Sequence, residues 1–130
     1  MRFLATALLC GLMACSQNAP RVALGPRVLP PIPTSIASQL GPVPVLFVDV
    51  IRASDVDSTT LVGAFDSWTR KIYIRKDLAF VQQWQIFFHE SAHVWLHDSG
   101  LSEMLHPNMT NAICDAFGSA QVAAMLAMRR

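Results

Sequence analysis

Apolar and polar residues alternate along residues 71–75, where two isoleucines are flanked by longer polar side chains. This alternation is typical of a strand with one buried face. Apolar residues also dominate residues 45–51 and 61–65, which predict two more strands. Because the sequence Asp-Ser-Trp-Thr at residues 66–69 favours a turn, we expect the last two strands to form a β-hairpin.

Farther along the chain the apolar positions recur every three or four residues, which predicts helices. The first is expected over residues 78–97, with Asp77 as its N-cap. Asp98-Ser99-Gly100 is expected to end it, because glycine suits a left-handed C-terminal cap. The apolar stripe of this helix is expected to face the core and consists of Val81, Trp84, Phe88, Ala92 and Trp95.

A second long helix is expected from residue 107 or 108 to residue 128. Pro107 suits a first helical turn. Three consecutive small residues, Gly118, Ser119 and Ala120, would permit close contact with another helix. Strands followed by helices predict the α+β class, here a short β-sheet with a hairpin followed by two long helices.

The composition limits the classes of protein to which the chain can belong. Its 130 residues have room for one small domain, which we expect over residues 43–130. The formal net charge of +1 gives no electrostatic case for nucleic-acid binding. We therefore expect no nucleic-acid partner.

The first residues resemble a bacterial lipoprotein signal peptide. Met1-Arg2 precedes about a dozen apolar residues, too few to span a bilayer as a mature helix. They end in Leu12-Met13-Ala14-Cys15, which resembles a lipobox, whereas Cys10 fits that pattern less well. We expect residues 1–14 to be a signal peptide and Cys15 to be lipidated. The alternatives are an ordinary secretory signal cut nearby and a buried N-terminal helix.

From this signal we expect the protein to lie in the bacterial cell envelope, lipid-anchored to a membrane on its periplasmic or extracellular face. Seven of the eight prolines follow within residues 16–44, and such a sequence favours extended polyproline-like conformations. We expect residues 15–42 to be an extended linker that holds the domain away from the membrane. A tail wrapped on the domain is the alternative, and the sequence does not separate the two.

His89-Glu90-Ser91-Ala92-His93 is an H-E-x-x-H pentapeptide and carries the strongest chemical signal in the chain. Residues four apart share one face of a helix, so both imidazoles can reach a single metal ion. A catalytic zinc takes about three protein ligands and a water, whose pKa it lowers. We expect Zn²⁺ as the cofactor, the two histidines as ligands and Glu90 as general base. The alternative is two helix histidines that happen to flank a glutamate.

The motif leaves the third ligand open. His97 continues the series, but it lies about 12 Å along the helix axis from His89, so we expect it to be an outer partner or a helix C-terminal cation. Asn111 and Asp115 share a face of the second helix. A carboxylate is the better zinc ligand, although Asp115 could equally accept the free ring N–H of a histidine ligand. The remaining candidates, on the connecting loop, are Glu103 and His106.

Residues 85–97, Gln-Ile-Phe-Phe-His-Glu-Ser-Ala-His-Val-Trp-Leu-His, resemble the active-site helix of ImmA/IrrE-type zinc metallopeptidases. The hairpin ending in Ile-Tyr-Ile at residues 72–74 is similar to the strands before that helix in the family. Residues 111–117 resemble the later helix that carries a Glu ligand followed four residues on by Asp. The resemblance covers about residues 43–126 and implies a gluzincin-like, zincin-type minidomain. It implies that His89 and His93 are ligands, Glu90 is the general base and Asp115 lies behind a histidine.

One position departs from the family pattern, because Asn111 stands where the ligand Glu is expected. Its neutral amide oxygen is a weaker zinc donor than a carboxylate. Either Asp115 takes over as ligand, Asn111 binds weakly, Glu103 moves in, or the site has lost activity. The family's cleavage of cytoplasmic repressors is not expected of a chain that carries a lipobox.

Two functions are consistent with these patterns. The first is a lipid-anchored bacterial zinc metallopeptidase acting on peptides or proteins, with the edge strand before the helix holding the substrate backbone by strand addition. The second is a non-enzymatic envelope lipoprotein that retains a degenerate zincin fold as a binding module. Asn111 is the feature that favours the second.

Overall fold

The computed structural model describes residues 29–51 and 61–128. The predicted signal peptide, Cys15 and the first part of the predicted linker lie outside these residues. Within them the fold is α+β, as predicted, with a small sheet and three helices. None of the described helices is both long and apolar enough to cross a membrane.

The described strands form one four-stranded sheet in the order β1-β2-β4-β3. These strands are β1 (Ser35–Ile36), β2 (Val43–Val48), β3 (Gly63–Asp66) and β4 (Lys71–Arg75). The inner strand β4 runs parallel to β2 and antiparallel to β3. Its two isoleucines, Ile72 and Ile74, are fully buried, which confirms the alternating pattern. The predicted hairpin between β3 and β4 is also confirmed.

The turn of this hairpin is organised by one carboxylate. Asp66 accepts hydrogen bonds from the backbone N–H groups of Trp68 and Thr69, at 2.9 and 3.2 Å, and from the Thr69 hydroxyl at 2.7 Å. These bonds lower the pKa of Asp66 below its ordinary value, the hydroxyl bond most of all. An aspartate whose side chain accepts hydrogen bonds from the backbone N–H groups two and three residues later commonly forms a turn. This explains why the turn could be predicted from the sequence.

Residues 29–42 are not a free spacer, because they pack into the domain. Ile32 and Ile36 are buried in the core, and β1 pairs with β2. The indole N–H of Trp84 donates a hydrogen bond to the Pro30 carbonyl at 3.1 Å. The folded domain therefore begins before residue 43, and the described part of the predicted linker follows the wrapped-tail alternative. A proline-rich run favours extended backbone, but the burial of its isoleucines depends on the tertiary structure.

Three helices follow the sheet: α1 (Phe80–Asp98), α2 (Leu101–Met104) and α3 (Pro107–Ala127). Asp77 is not the N-cap of α1, because the helix begins three residues later, at Phe80; the Asp77 carboxylate accepts a hydrogen bond from Arg75 at 2.9 Å. The cap is Ala79, whose backbone N–H donates to the Gln82 side chain at 3.2 Å. At the other end Gly100 adopts a left-handed conformation with φ of 75°, as predicted. The short helix α2 lies in the segment that the sequence indicated as a loop.

The buried face of α1 differs from the predicted stripe. Trp84 and Ala92 are buried and Phe88 packs against the core, but Val81 and Trp95 are 40% and 46% exposed. The reason is that α1 contacts β3 and β4 on one side and α3 on another. Its buried face is therefore broader than one stripe and includes Phe87, Glu90, Ser91 and Val94.

Gly118 allows the backbones of α1 and α3 to approach closely. A Cβ atom at this position would lie 2.9 Å from the carbonyl oxygen of Gln85 and 3.4 Å from the backbone nitrogen of His89. These are backbone atoms, so the two helices would have to separate. The prediction of close helix contact at the small residues is confirmed for Gly118, whereas Ser119 and Ala120 are exposed.

Gly118→Ala should therefore destabilise the protein although alanine is the better helix former. The helix preference for alanine is worth about 1 kcal/mol, and overpacking costs about 1–3 kcal/mol. Because the clash is with backbone atoms, we expect a cost near the upper end of this range, and hence a net loss of up to about 2 kcal/mol in the free energy of unfolding, measured by urea denaturation. Ala120→Ser, two residues on and exposed, is the control and should change the stability by about 0.5 kcal/mol or less. A Gly118→Ala variant as stable as the wild type would contradict the close helix contact.

Candidate metal centre

Two imidazoles on consecutive turns of α1 converge on one point. The Nε2 atoms of His89 and His93 lie 3.1 Å apart. Two nitrogen ligands of a tetrahedral zinc, each about 2.0–2.1 Å from the ion, are separated by about 3.3 Å. The pair therefore has close to the spacing that one ion requires. Together with a Glu90 carboxylate oxygen, the ligand atoms of this group lie within 4.8 Å of one another and could hold a metal ion.

Polar residues of α3 face these imidazoles and contact them in register. Asp115 Oδ1 lies 2.9 Å from Nδ1 of His89, and the Asn111 side chain is hydrogen-bonded to His93. Each step of four residues forward along α1 is matched by a step of four back along α3. The same register brings Gln85 within 3.4 Å of the Ser119 hydroxyl. Antiparallel packing of α1 and α3 thus joins two sequence motifs that were predicted separately.

The contact with Asp115 determines which ring nitrogen of His89 carries the proton. A carboxylate accepts the Nδ1–H proton and leaves the lone pair of Nε2 available to a metal. Asp115 therefore occupies the position of an outer partner, which is one of its two predicted roles, and its side chain is largely exposed. Burial, and next the neighbouring His89, lower the pKa of His93, which favours its neutral, metal-binding form.

The side chain of Glu90 extends from α1 toward strand β3 and is buried there, with only 6% of the residue's surface exposed. Burial raises the pKa of its carboxyl from the ordinary 4.5 to about 8, although a hydrogen bond from the backbone N–H of Phe65 acts in the opposite direction. A carboxyl whose pKa lies near neutrality can both take and return a proton under physiological conditions. This behaviour is typical of a general base in an enzyme site.

Gly63 makes room for Glu90 beneath the sheet. A Cβ atom on Gly63 would lie 2.1 Å from Cγ2 of Ile86 and 3.0 Å from Oε1 of Glu90, so no larger residue fits without movement. This role was not predicted from the sequence. A signal was available, because glycine within a strand often marks the close approach of another group.

These side chains line an open cleft of about 570 Å³ between the hairpin and the helices. The strand β3 contributes Gly63, Ala64 and Phe65 to one wall, and α1 and α3 contribute the imidazoles and their partners. The cleft is large enough to admit several residues of a peptide. Its chemistry is concentrated at one place, where His89, Glu90 and His93 meet.

The outward edge of β3 borders this cleft. Arg75 N–H donates to the carbonyl of Val62 at 3.0 Å, which sets the ladder with β4. Hydrogen-bonded pairs alternate along an antiparallel ladder, so the backbone groups of Gly63 and Phe65 point away from β4. Glu90 accepts from the Phe65 N–H on this side. In the described part of the chain no strand pairs with this edge of β3.

The other predicted ligand candidates lie elsewhere. Glu103 is exposed on α2, and His106 is the N-cap of α3, where its Nδ1 accepts from the Asn108 N–H at 3.2 Å. His97 lines the cleft, but its Nδ1 faces Asp98 at 3.3 Å. Among the described residues, Glu90 is the only carboxylate, histidine or cysteine that joins His89 and His93 in the metal-competent group.

A buried ion pair supports the end of α1 beside His97. The carboxylate of Asp98 is 1% exposed and is held by two nitrogens of Arg70, at 2.8 and 3.0 Å. Arg70 also donates to the Ser38 hydroxyl at 2.9 Å. The guanidinium contact holds the pKa of Asp98 well below its usual range, so this carboxylate is ionised at neutral pH. The pair was not predicted from the sequence, since its members are distant in the chain.

The chain was compared with known protein families, curated proteins and solved structures. No protein-family model, no curated protein and no solved structure matches it. The resemblance to ImmA/IrrE-type metallopeptidases therefore depends on sequence motifs alone, those of α1, α3 and the hairpin before α1.

Proposed function

We propose that this chain is a zinc metallopeptidase that hydrolyses peptide bonds in the cleft between β3 and α1. The observation that carries the proposal is the buried Glu90 carboxyl, with a pKa near neutrality, beside two imidazoles at ligand spacing. A structural helix would gain nothing from burying this carboxyl, because burial of a titratable group is unfavourable. Function is the simplest reason for such an arrangement.

His89 and His93 would hold the ion, with Asp115 and Asn111 orienting their rings from α3. The bound Zn²⁺ would polarise the substrate carbonyl and lower the pKa of the attacking water. Glu90 would take the proton from the attacking water and later return it to the leaving amine. The outward backbone groups of β3 that Glu90 leaves free, those of Gly63 and the carbonyl of Phe65, would bind the substrate as an added strand and align the scissile bond along the cleft.

The proposal extends to the location of the enzyme. We propose that Cys15 carries a lipid that anchors the domain to a membrane of the bacterial envelope, on the periplasmic or extracellular face. The lipobox tetrapeptide supports this anchor. Incorporation of labelled fatty acid, lost in a Cys15→Ser variant, tests it. Without that incorporation the peptidase proposal would stand and the anchor would not.

Removing the metal should abolish hydrolysis and restoring it should recover hydrolysis. The full chain, assayed with fluorescein-labelled casein, should lose its activity to background with a chelator such as 1,10-phenanthroline. Addition of Zn²⁺ after the chelator is removed should restore the activity, because the two imidazoles and Glu90 remain in place. Activity that survives complete removal of the metal would contradict the proposal.

The residues of α3 should tune metal affinity rather than replace the ligands. Asp115→Ala removes the acceptor for the His89 Nδ1–H, and loss of such an outer partner typically weakens metal binding by about 10–100-fold. Zinc affinity, measured by competition with a chromophoric chelator, should fall by this factor, and His93→Ala should weaken it further. Glu103→Ala, an exposed acid on α2, is the control and should bind zinc normally.

A second function is favoured by one observation. Asn111 stands where a carboxylate ligand would complete a three-ligand site, and no further histidine, cysteine or acid among the described residues replaces it. A chain with this defect could serve the envelope as a non-enzymatic binding module. Zinc binding without cleavage of any protein substrate, in the assay above, would favour this function over the peptidase.

A further inference from the structure

His97 is a fixed imidazole in the cleft that neither the metal site nor the general base uses. It lies one helical turn beyond His93 and lines the same cleft. Its ring packs edge-on against the ring of Phe65, with centroids 5.6 Å apart, and its Nδ1 lies 3.3 Å from Asp98. The orientation of the ring is therefore set from two sides.

The partner of Nδ1 decides which nitrogen of His97 carries the proton. Asp98 is 1% exposed and its two oxygens are both engaged by Arg70, so it is an ionised group that can only accept hydrogen bonds. The Nδ1 atom of His97 must then be the donor. In the neutral ring this leaves Nε2 as an acceptor, and Nε2 has no hydrogen-bond partner among the described residues.

Phe65 places this acceptor next to the substrate strand. The backbone N–H of Phe65 faces outward from β3 and reaches Glu90, while its ring contacts His97. One residue of the edge strand thus links the general base and the imidazole. A peptide that pairs with β3 would pass beside both, and an extended peptide directs alternate N–H groups away from the strand with which it pairs.

We propose that Nε2 of His97 accepts a hydrogen bond from a backbone N–H of the substrate, one that β3 does not use. The inference rests on the proposed peptidase function and narrows its substrates to extended peptides with a free N–H at that position. Proline, which lacks the N–H, would be disfavoured there. Arg70 and Asp98 act through His97 and are positioning residues.

A scan of N-methylated substrates tests this contact. A casein-derived decapeptide that the full, zinc-loaded wild-type protein cleaves is resynthesised with one N-methyl group at each position in turn. At one position beyond those that pair with β3, methylation should raise KM about tenfold in the wild type, and kcat should change by less than about threefold. In His97→Ala the unmethylated peptide should already show the higher KM, and methylation at that position should have no further effect.

Two variants keep the test decisive. His97→Phe retains a ring against Phe65 without either nitrogen and should behave like His97→Ala, which guards against a variant that fails to fold. His106→Ala removes a histidine outside the cleft and should retain the wild-type methylation profile. If the two His97 variants and the wild type respond to methylation identically, the proposed contact is wrong, although the peptidase proposal survives.

A measurement independent of activity tests the tautomer. Long-range ¹H–¹⁵N spectra of the wild-type protein should show His97 with its proton on Nδ1, and Asp98→Ala should abolish that preference. A wild-type His97 with its proton on Nε2 would overturn the inference.

If the protein cleaves no peptide, the peptidase proposal fails first. Binding of a fluorescein-labelled casein peptide pool to zinc-loaded Glu90→Gln then decides whether His97 contacts peptides, since His97→Ala should weaken that binding about tenfold.

Discussion

Replacing Glu90 by Gln should lower the rate of peptide hydrolysis by about a thousandfold or more while zinc remains bound. The substitution keeps the shape of the side chain and an oxygen that can accept from the Phe65 N–H. It removes the group that takes the proton from water, and loss of a general base typically costs about 10²–10⁴ in rate. Initial rates on fluorescein-labelled casein and zinc content by elemental analysis are the two measurements.

Glu103→Gln is the matched control, because it makes the same chemical change on the exposed surface of α2. Its activity and zinc content should both equal those of the wild type. If Glu90→Gln keeps its zinc and still hydrolyses casein at the wild-type rate, Glu90 is not the general base. If zinc is lost along with activity, Glu90 acts as a ligand, in agreement with its place in the metal-competent group.

The site could be predicted from the sequence only as far as local spacing determines it. His89, Glu90 and His93 lie within one turn and a half of a single helix, so the period of the helix brings them together wherever that helix packs. Asp115 and Asn111 could be named as candidates from their shared helix face, but their contacts with His89 and His93 require a particular register between α1 and α3 that the sequence pattern does not fix. Gly118 helps to determine that register by letting the backbones approach.

The remaining features depend on contacts between distant parts of the chain. Ser38, Arg70 and Asp98 form one polar cluster although they come from three separate segments. Ile32 lies among prolines that predict an extended spacer, and only the presence of an apolar surface on the domain makes its burial favourable. Local patterns carry no information about such partners, and they therefore misplaced the start of the domain.

The carboxyl that we propose as the general base should also weaken the metal-free fold. Burial raises the pKa of Glu90 from 4.5 to about 8, so the folded protein binds this proton more tightly than the unfolded chain does. The stability associated with the protonated form is complete below about pH 4.5 and is lost as the pH rises through about 8. Since a tenfold change in proton affinity is worth about 1.4 kcal/mol, the loss is roughly 3 kcal/mol at pH 7 and approaches 5 kcal/mol above pH 8.

Metal-free Glu90→Gln should therefore gain stability relative to the metal-free wild type as the pH rises. Glutamine cannot ionise, so the difference in unfolding free energy between the two proteins should grow by roughly 3 kcal/mol between pH 4.5 and pH 7 and increase further toward pH 9. Burial of the extra amide N–H groups adds an unfavourable offset of about 1–3 kcal/mol, but that offset does not depend on pH. Urea denaturation of chelator-treated protein at pH 5, 7 and 9 measures the difference.

The control is again Glu103→Gln, whose difference from the wild type should not vary with pH in this way. A pH-independent difference for Glu90→Gln would mean that the carboxyl is not desolvated in the folded protein. The same result would remove the observation on which the general-base assignment depends. If instead the variant is both inactive and more stable at high pH, one side chain accounts for the two effects, because a buried, proton-exchanging carboxyl lowers stability in order to serve a reaction.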